Sequence, residues 1–318
     1  MAIVDVTDLR KEYGEFAAVE GSSFAIERGE VYGVVGPNGA GKTTTLKMLA
    51  GLIEPTDGTA VVAGHEPGEP AMQRRLGFLP EESPLYEDMT PRSYLAFFAD
   101  LYGVPSDIAA ERIERTLDRL DLEHRDRRIG NMSKGMQRKV AITRALVNDP
   151  DVLIFDEPAS GLDPLTTNYI IEFTRELSEE GKTVVFSAHN LFHVESICDR
   201  VAVMNEGRIV ARGTLEEIRD EHGGTTYHVY ATVDGSDGLV PDDGSSREAD
   251  AESAAVEVRR ENGHVEHVVH EMRHVEAIRE AVTAAGGEIT DIQTETPSLE
   301  DIFLEIASDA PDPEAAET

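Results

Sequence analysis

The sequence predicts an α/β fold: a mostly parallel core sheet with an antiparallel β subdomain, a helical subdomain and a small C-terminal α+β domain. Three observations predict it. Val31-Tyr32-Gly33-Val34-Val35 and Asp151-Val152-Leu153-Ile154-Phe155 are continuous apolar runs, as expected of strands buried on both faces of a parallel sheet. The glycine-rich stretch Gly36-Pro37-Asn38-Gly39-Ala40-Gly41-Lys42-Thr43-Thr44 follows the first run and leads into a helical segment from Thr43 to Ala50. Between the two runs, from about Tyr86 to Val147, apolar residues recur at spacings of three and four, the period of amphipathic helices.

Taken in order, Ala2 to Val6 and Ser23 to Glu27 have strand composition and precede the glycine-rich stretch, as antiparallel strands flanking the main sheet. Thr59 to Ala63 and Leu76 to Glu81 follow as strand segments, and Ser93 to Tyr102 and Ile108 to Leu120 as helices. Lys182 to Ser187 reads as a further parallel strand, and Arg200 to Met204 with Arg208 to Ala211 as a hairpin about Asn205-Glu206-Gly207. Beyond about residue 220, Thr225 to Val233, Val256 to Arg259 and His264 to Val269 read as strands. Residues 234–254 form an acidic, flexible loop, Val275 to Ala285 a helix and Glu288 to Thr294 a last strand. Pro297 and Ser298 open a capped helix, and Ser308 to Thr318 reads as a disordered tail. Domain boundaries are expected at 1–220 and 221–307.

With 29 basic and 62 acidic residues the formal net charge is −33. Such a surface repels phosphate backbones, so nucleic acid is not an expected partner. Only six of the basic residues are lysines, and acidity with scarce lysine resembles proteins of organisms that keep molar salt in the cytoplasm, where the Debye length is about 3 Å. Cys198 is the only cysteine, which excludes a disulfide framework and suits a reducing compartment. No stretch approaches the roughly 18 apolar residues of a membrane span, and the N-terminus lacks a basic region followed by an apolar core. A cytosolic chain is expected, held at a membrane only by a partner.

The chemistry starts from the glycine-rich stretch, which fits the phosphate-binding loop pattern, Gly, four residues, Gly-Lys-Ser/Thr, in its strand-to-helix context. The fold class is therefore that of a P-loop NTPase. Glycines at 36, 39 and 41 let backbone N–H groups turn inward around an anion, and the helix adds its positive end. Lys42 would reach the β- and γ-phosphates of a nucleotide and the Thr43 hydroxyl would ligate Mg²⁺. Asp156, ending the second apolar run, sits where a metal carboxylate is needed, and Glu157 can polarise an attacking water. His189, after the next strand, can bond the γ-phosphate or the water. Tyr13 could stack on a base. The histidines at 264, 267, 270 and 274 do not converge on a zinc site, because residues three apart on a strand face opposite sides.

These pieces, over about residues 2 to 220, resemble the ATP-binding subunit of an ABC transporter, of the drug-resistance or sodium-efflux exporter kind. The most diagnostic stretch is Asn131-Met132-Ser133-Lys134-Gly135-Met136-Gln137-Arg138-Lys139, similar to the family's signature, with Lys134 and Met136 in place of a glycine and a glutamine. The resemblance implies that Tyr13 stacks on adenine and that His189 is the switch histidine. It implies that Ser160-Gly161-Leu162-Asp163 crosses a dimer interface, and that Ser133 and Gly135 reach the γ-phosphate bound by a second copy. Glu81 falls on the coupling glutamine, with Glu82 beside it, and a carboxylate there can ligate Mg²⁺. The implied protein is an ATPase that dimerises on MgATP and powers a separate membrane permease. Two rivals are a soluble ATPase of the same class and a nucleotide-binding regulator that does not hydrolyse; one phosphate loop without a heptad run disfavours the first, and the presence of Glu157 and His189 disfavours the second.

Overall fold

The computed structural model describes residues 2–188, 190–222, 225–232, 257–261, 264–295 and 300–302. The chain divides into two compact units, residues 1–215 and 216–318.

In the first unit β1 (Ala2–Tyr13) and β2 (Phe16–Glu27) form a long hairpin, followed by β3 (Val31–Val35), α1 (Lys42–Leu49), β4 (Asp57–Val62), α2 (Pro70–Gln73) and β5 (Leu76–Leu79). The helical layer is α3 (Pro91–Leu101), α4 (Ser106–Arg119) and α5 (Lys134–Leu146). Then come β6 (Val152–Asp156), α6 (Pro164–Glu179), β7 (Thr183–Ala188), α7 (Leu191–Ile197), β8 (Arg200–Asn205) and β9 (Arg208–Gly213). The six-stranded sheet has the order β5-β6-β7-β3-β8-β9, parallel except for β9, and the three-stranded antiparallel sheet has the order β2-β1-β4.

In this unit the expected strands and helices are present, with β1 and β2 longer than their apolar cores. Every residue of β3, β6 and β7 is buried, the condition that makes their sequences near-continuous apolar runs rather than alternating. Burial of one such side chain, Phe155 for example, contributes about 1.5–3 kcal/mol. A single core joins the two sheets through α1: Val4, Ile26, Val34, Leu46 and Ile154 belong to one cluster, and Phe24 stacks on Tyr32 with centroids 5.5 Å apart. The helical layer has its own core, in which Tyr94, Leu95, Ile113 and Leu117 meet Val140 and Val147.

From residue 215 onward the chain forms α8 (Leu215–His222), then, in the second unit, β10 (Thr226–Thr232), β11 (Glu257–Glu261), β12 (His264–Val269), α9 (Met272–Ala284) and β13 (Glu288–Glu295). Its antiparallel sheet has the order β11-β12-β10-β13, and α9 buries Val275, Ile278 and Val282 against Val229, Ala231 and Val269. His267 is buried and His270 exposed, and among the described residues no group of three or more histidine, cysteine or carboxylate side chains could hold a metal ion. The acidic loop at 234–254, Pro297, Ser298 and the tail from Ser308 lie outside the described residues. Cys198 is buried, and burial pushes its thiol pKa up. Among the described residues no helix is long and apolar enough to cross a membrane.

The outer face of the helical layer is tied by arginine. Arg92 donates to Glu114 at 2.7 Å and to Asp126 at 2.6 Å, and Arg125 donates to Glu114 at 2.6 Å and to Asp118. The Arg92 guanidinium, against the opposing effect of burial and with help from Arg125, holds the Glu114 carboxyl down at about 2. A depressed carboxylate stabilises the fold above its unfolded value and loses that contribution as pH falls toward the folded one. With Glu114 37% exposed, screening limits the effect to about 1 kcal/mol or less. Glu114→Gln is therefore expected to lower the melting temperature by about 2–4 °C at pH 7. Melts at descending pH should show the gap closing between the ordinary carboxylate range and about 2; a gap that widened would contradict the assignment.

Candidate nucleotide site

The loop between β3 and α1 has the conformation its glycines allow. Gly41 has φ of 99° and a Cβ there would come within 2.5 Å of the Ala18 carbonyl, while one at Gly36 would collide with the Met204 carbonyl. The loop is thus packed beneath β2 and β8 at a distance only glycine tolerates. Lys42 is buried, its Nζ donating to the carbonyls of Gly36 at 2.7 Å and Pro37 at 3.0 Å. Burial lowers its pKa, opposed by the nearby Glu157, Asp156 and Glu81 carboxylates.

A cleft of about 610 Å³ opens over the loop, lined by residues 38–44, Phe16, Ala18, Glu81, Glu157 and Ser160. The structure therefore brings Asn38, Gly39, Ala40, Gly41, Lys42, Thr43, Thr44, Glu81 and Glu157 to one place. Asp156 completes it from below: its Oδ1 accepts from Thr43 Oγ1 at 3.2 Å and from Ser187 Oγ at 2.7 Å. Both carboxylates emerge at the carboxyl end of β6, where α/β sheets present ligand-binding groups. Glu157 is buried, has φ of 48°, and donates its backbone N–H to Ser187 Oγ at 2.9 Å. Such a left-handed backbone is uncommon outside glycine and needs holding. Thr43, Asp156 and Glu81 supply hard oxygen donors, the set that suits Mg²⁺.

Around the cleft the placements differ. Ser133 caps α5, accepting from the Met136 N–H at 3.2 Å. Gly135, one residue into that helix's first turn, faces Thr166 of α6, whose side chain a Cβ would approach to 3.1 Å. Asp163 caps α6 with both oxygens, accepting from the Thr166 N–H at 3.0 Å and hydroxyl at 2.7 Å, and these bonds hold its carboxyl below the ordinary value. Neither Ser133 nor Asp163 lines the cleft of its own chain. Lys134 lies against the turn at Gly161, where its Nζ fills the space a methyl group would need. Tyr13 stands at the hairpin tip, 52% exposed, with Lys11 Nζ 5.2 Å from its ring centroid, and does not line the cleft; Phe16, its cross-strand partner, does. Directly paired residues project to the same face, so the aromatic surface beside the loop is a Tyr13–Phe16 pair rather than a single ring. His189 lies outside the described residues.

Comparison with known proteins decides the family. Residues 19–160 match the ABC transporter family and residues 213–307 match "ATP-binding protein DrrA1-3-like, C-terminal domain". The linearmycin resistance ATP-binding protein LnrL of Bacillus subtilis is 31% identical over 309 residues, 96% of this chain and 98% of that one. The chain belongs to the ATP-binding proteins of ABC transporters. A second such protein, the Nod factor export ATP-binding protein I of Burkholderia orbicola, is 39% identical over 72% of this chain and 77% of its own length. A solved ATP-binding subunit of an ABC transporter is 34% identical with a TM-score of 0.65, covering 70% of this chain and 93% of that one. As an ABC ATP-binding protein the chain is an ATPase, and the cleft over residues 38–44 is where its nucleotide chemistry is to be sought.

Three site residues were not singled out from this ABC ATPase's sequence: Phe16, Ser187 and Arg138. Ser187 ends an apolar strand and the hydroxyl is legible only once β6 and β7 are aligned, Asp156 pairing with Ser187. Ser187→Ala removes one hydroxyl donor to a buried carboxylate and leaves the Glu157 N–H without its hydroxyl acceptor. The expected cost is about 1–3 kcal/mol of stability, read by denaturant unfolding, together with slower ATP hydrolysis; an unfolding curve superimposable on the parent's would count against this role.

Proposed function

We propose that the chain is the ATP-hydrolysing subunit of an exporter: two copies clamp two MgATP molecules head to tail and drive a separate membrane permease, which places the ATPase at the inner face of the cell membrane. The observation that carries the reading is the convergence of Lys42, Thr43, Asp156 and Glu157 on one cleft at the carboxyl end of the parallel sheet. Export is supported by relatives whose names are linearmycin resistance and Nod factor export proteins.

Lys42 leaves the Gly36 and Pro37 carbonyls to pair with phosphate oxygens, and loop N–H groups with the α1 start take the remaining charge. Thr43, Asp156 and Glu81 would hold Mg²⁺, which supplies charge neutralisation on the phosphates. Glu157 orients and polarises the attacking water, and His189 contacts the γ-phosphate. The base rests on the Tyr13–Phe16 pair. The second copy contributes the start of α5, with Ser133 and Gly135, and the Ser160–Asp163 turn; in one copy alone Ser133 and Asp163 stand outside the cleft. The acid excess is an adaptation to molar salt.

Glu157→Gln is expected to cut ATP turnover by about 10²-fold or more while leaving MgATP binding intact, and to trap a dimer visible by size-exclusion chromatography with ATP. Turnover equal to the parent's would remove Glu157 from the proposed role. Both proteins are to be assayed from 0.1 to 3 M KCl; activity and melting temperature should rise with salt, and a maximum at low salt would refute the halophilic reading.

A further inference from the structure

Arg138 lies on the second turn of α5, buried at 7% exposure, and no carboxylate accepts from it in the bonds it makes. Its guanidinium instead meets backbone carbonyls. Nε donates to Pro158 at 2.6 Å, one terminal nitrogen to Pro80 at 2.8 Å and Glu81 at 2.9 Å, the other to Glu157 at 2.6 Å and Asp156 at 3.3 Å. A guanidinium has five N–H donors in a fixed fork, so all five are used on two loops that sequence separates by 75 residues or more. Burial pushes the pKa down to about 10, so the group stays charged at neutral pH.

The other face of α5 belongs to the helical core through Val140. Arg138 is thus a tie from the helical layer to the carboxyl edge of the sheet, and it grips the carbonyl of Glu157, whose backbone is left-handed. The amide of that residue is held by Ser187. The peptide groups on both sides of a strained Cα are therefore fixed by side chains.

We infer that Arg138 is a positioning residue for hydrolysis: it fixes the backbone that aims Glu157, and it makes that aim depend on where the α5 helix and the Pro80–Glu81 turn stand. The inference rests on the proposed role of Glu157. It does not extend to the phosphate loop, since none of the Arg138 bonds reaches residues 36–44.

The test is a four-protein comparison of the full chain: parent, Arg138→Gln, Glu157→Gln and the double variant, with Arg138→Lys as a fifth. Steady-state ATPase, single-turnover hydrolysis of radiolabelled ATP, and binding of a non-hydrolysable ATP analogue are measured, with melting curves to establish folding. Arg138→Gln is expected to lower kcat about 10- to 100-fold with analogue affinity within about three-fold of the parent. Arg138→Lys, with three donors in place of five, should fall between. In the Glu157→Gln background the Arg138 substitution should cause no further loss. If Glu157→Gln is inactive and both folded Arg138 variants turn over at the parent rate, the inference is wrong and the reading of Glu157 stands. Parallel losses of kcat and affinity, or a full additional loss in the double variant, would also overturn it, since they mark a general structural role. If Glu157→Gln hydrolyses normally, the underlying reading fails first. Should Arg138→Gln not fold, Arg138→Lys carries the same comparison.

Discussion

The site depends on one buried carboxylate oxygen. Asp156 Oδ1 accepts from Thr43 and from Ser187, so a single atom joins the start of α1, the end of β6 and the end of β7. A carboxylate this deep, at 1% exposure, would cost several kcal/mol if left without donors. Two hydroxyls and the nearby Lys42 ammonium offset that cost in the protein as it stands. The same arrangement sets the carboxylate against Thr43, which lines the cleft. The stabilising contact and the candidate binding group are therefore one object, held at the ends of β6 and β7, two strands in which every residue is buried.

Around that atom, much of the fold was legible in the residues and much of the support was not. Uninterrupted apolar runs identified β3, β6 and β7, because burial on both faces leaves no alternation to misread. The hairpin β1–β2 was legible only at Ala2 to Val6 and Ser23 to Glu27. Its ladder shifts register between Val6 and Leu9 and again between Leu9 and Lys11, and such bulges break the period-two pattern that sequence reading relies on. Lys42, Thr43, Asp156 and Glu157 announced themselves by spacing. Ser187 and Arg138 did not, since a serine at a strand end and an arginine beside a lysine on an amphipathic helix read as ordinary solvated positions. Their partners are carbonyls and a carboxylate far away in sequence, so only the assembled sheet reveals them. Phe16 was missed for a related reason: it shares a face with Tyr13 through cross-strand pairing, not through proximity along a motif.

Arginine and lysine divide their work in this chain. Arginine is used where planar, multi-donor geometry matters, at Arg138 among carbonyls and at Arg92 and Arg125 around Glu114. Lysine is rare, yet Lys42 holds the one position that calls for a compact charge able to change partners. Scarcity of lysine on the surface therefore does not extend to the loop.

The first turns of α5 and α6 touch where Gly135 meets Thr166, each helix capped by its own side chain. Their attraction for an anion comes from peptide dipoles, which fade within a turn, while the repulsion from 33 excess negative charges reaches outward until ions mask it. For the triphosphate of the proposed function this means a barrier at long range and a welcome only on contact. Adding electrolyte trims the barrier more than the welcome, so under the proposed function the rate of nucleotide capture should climb with ionic strength.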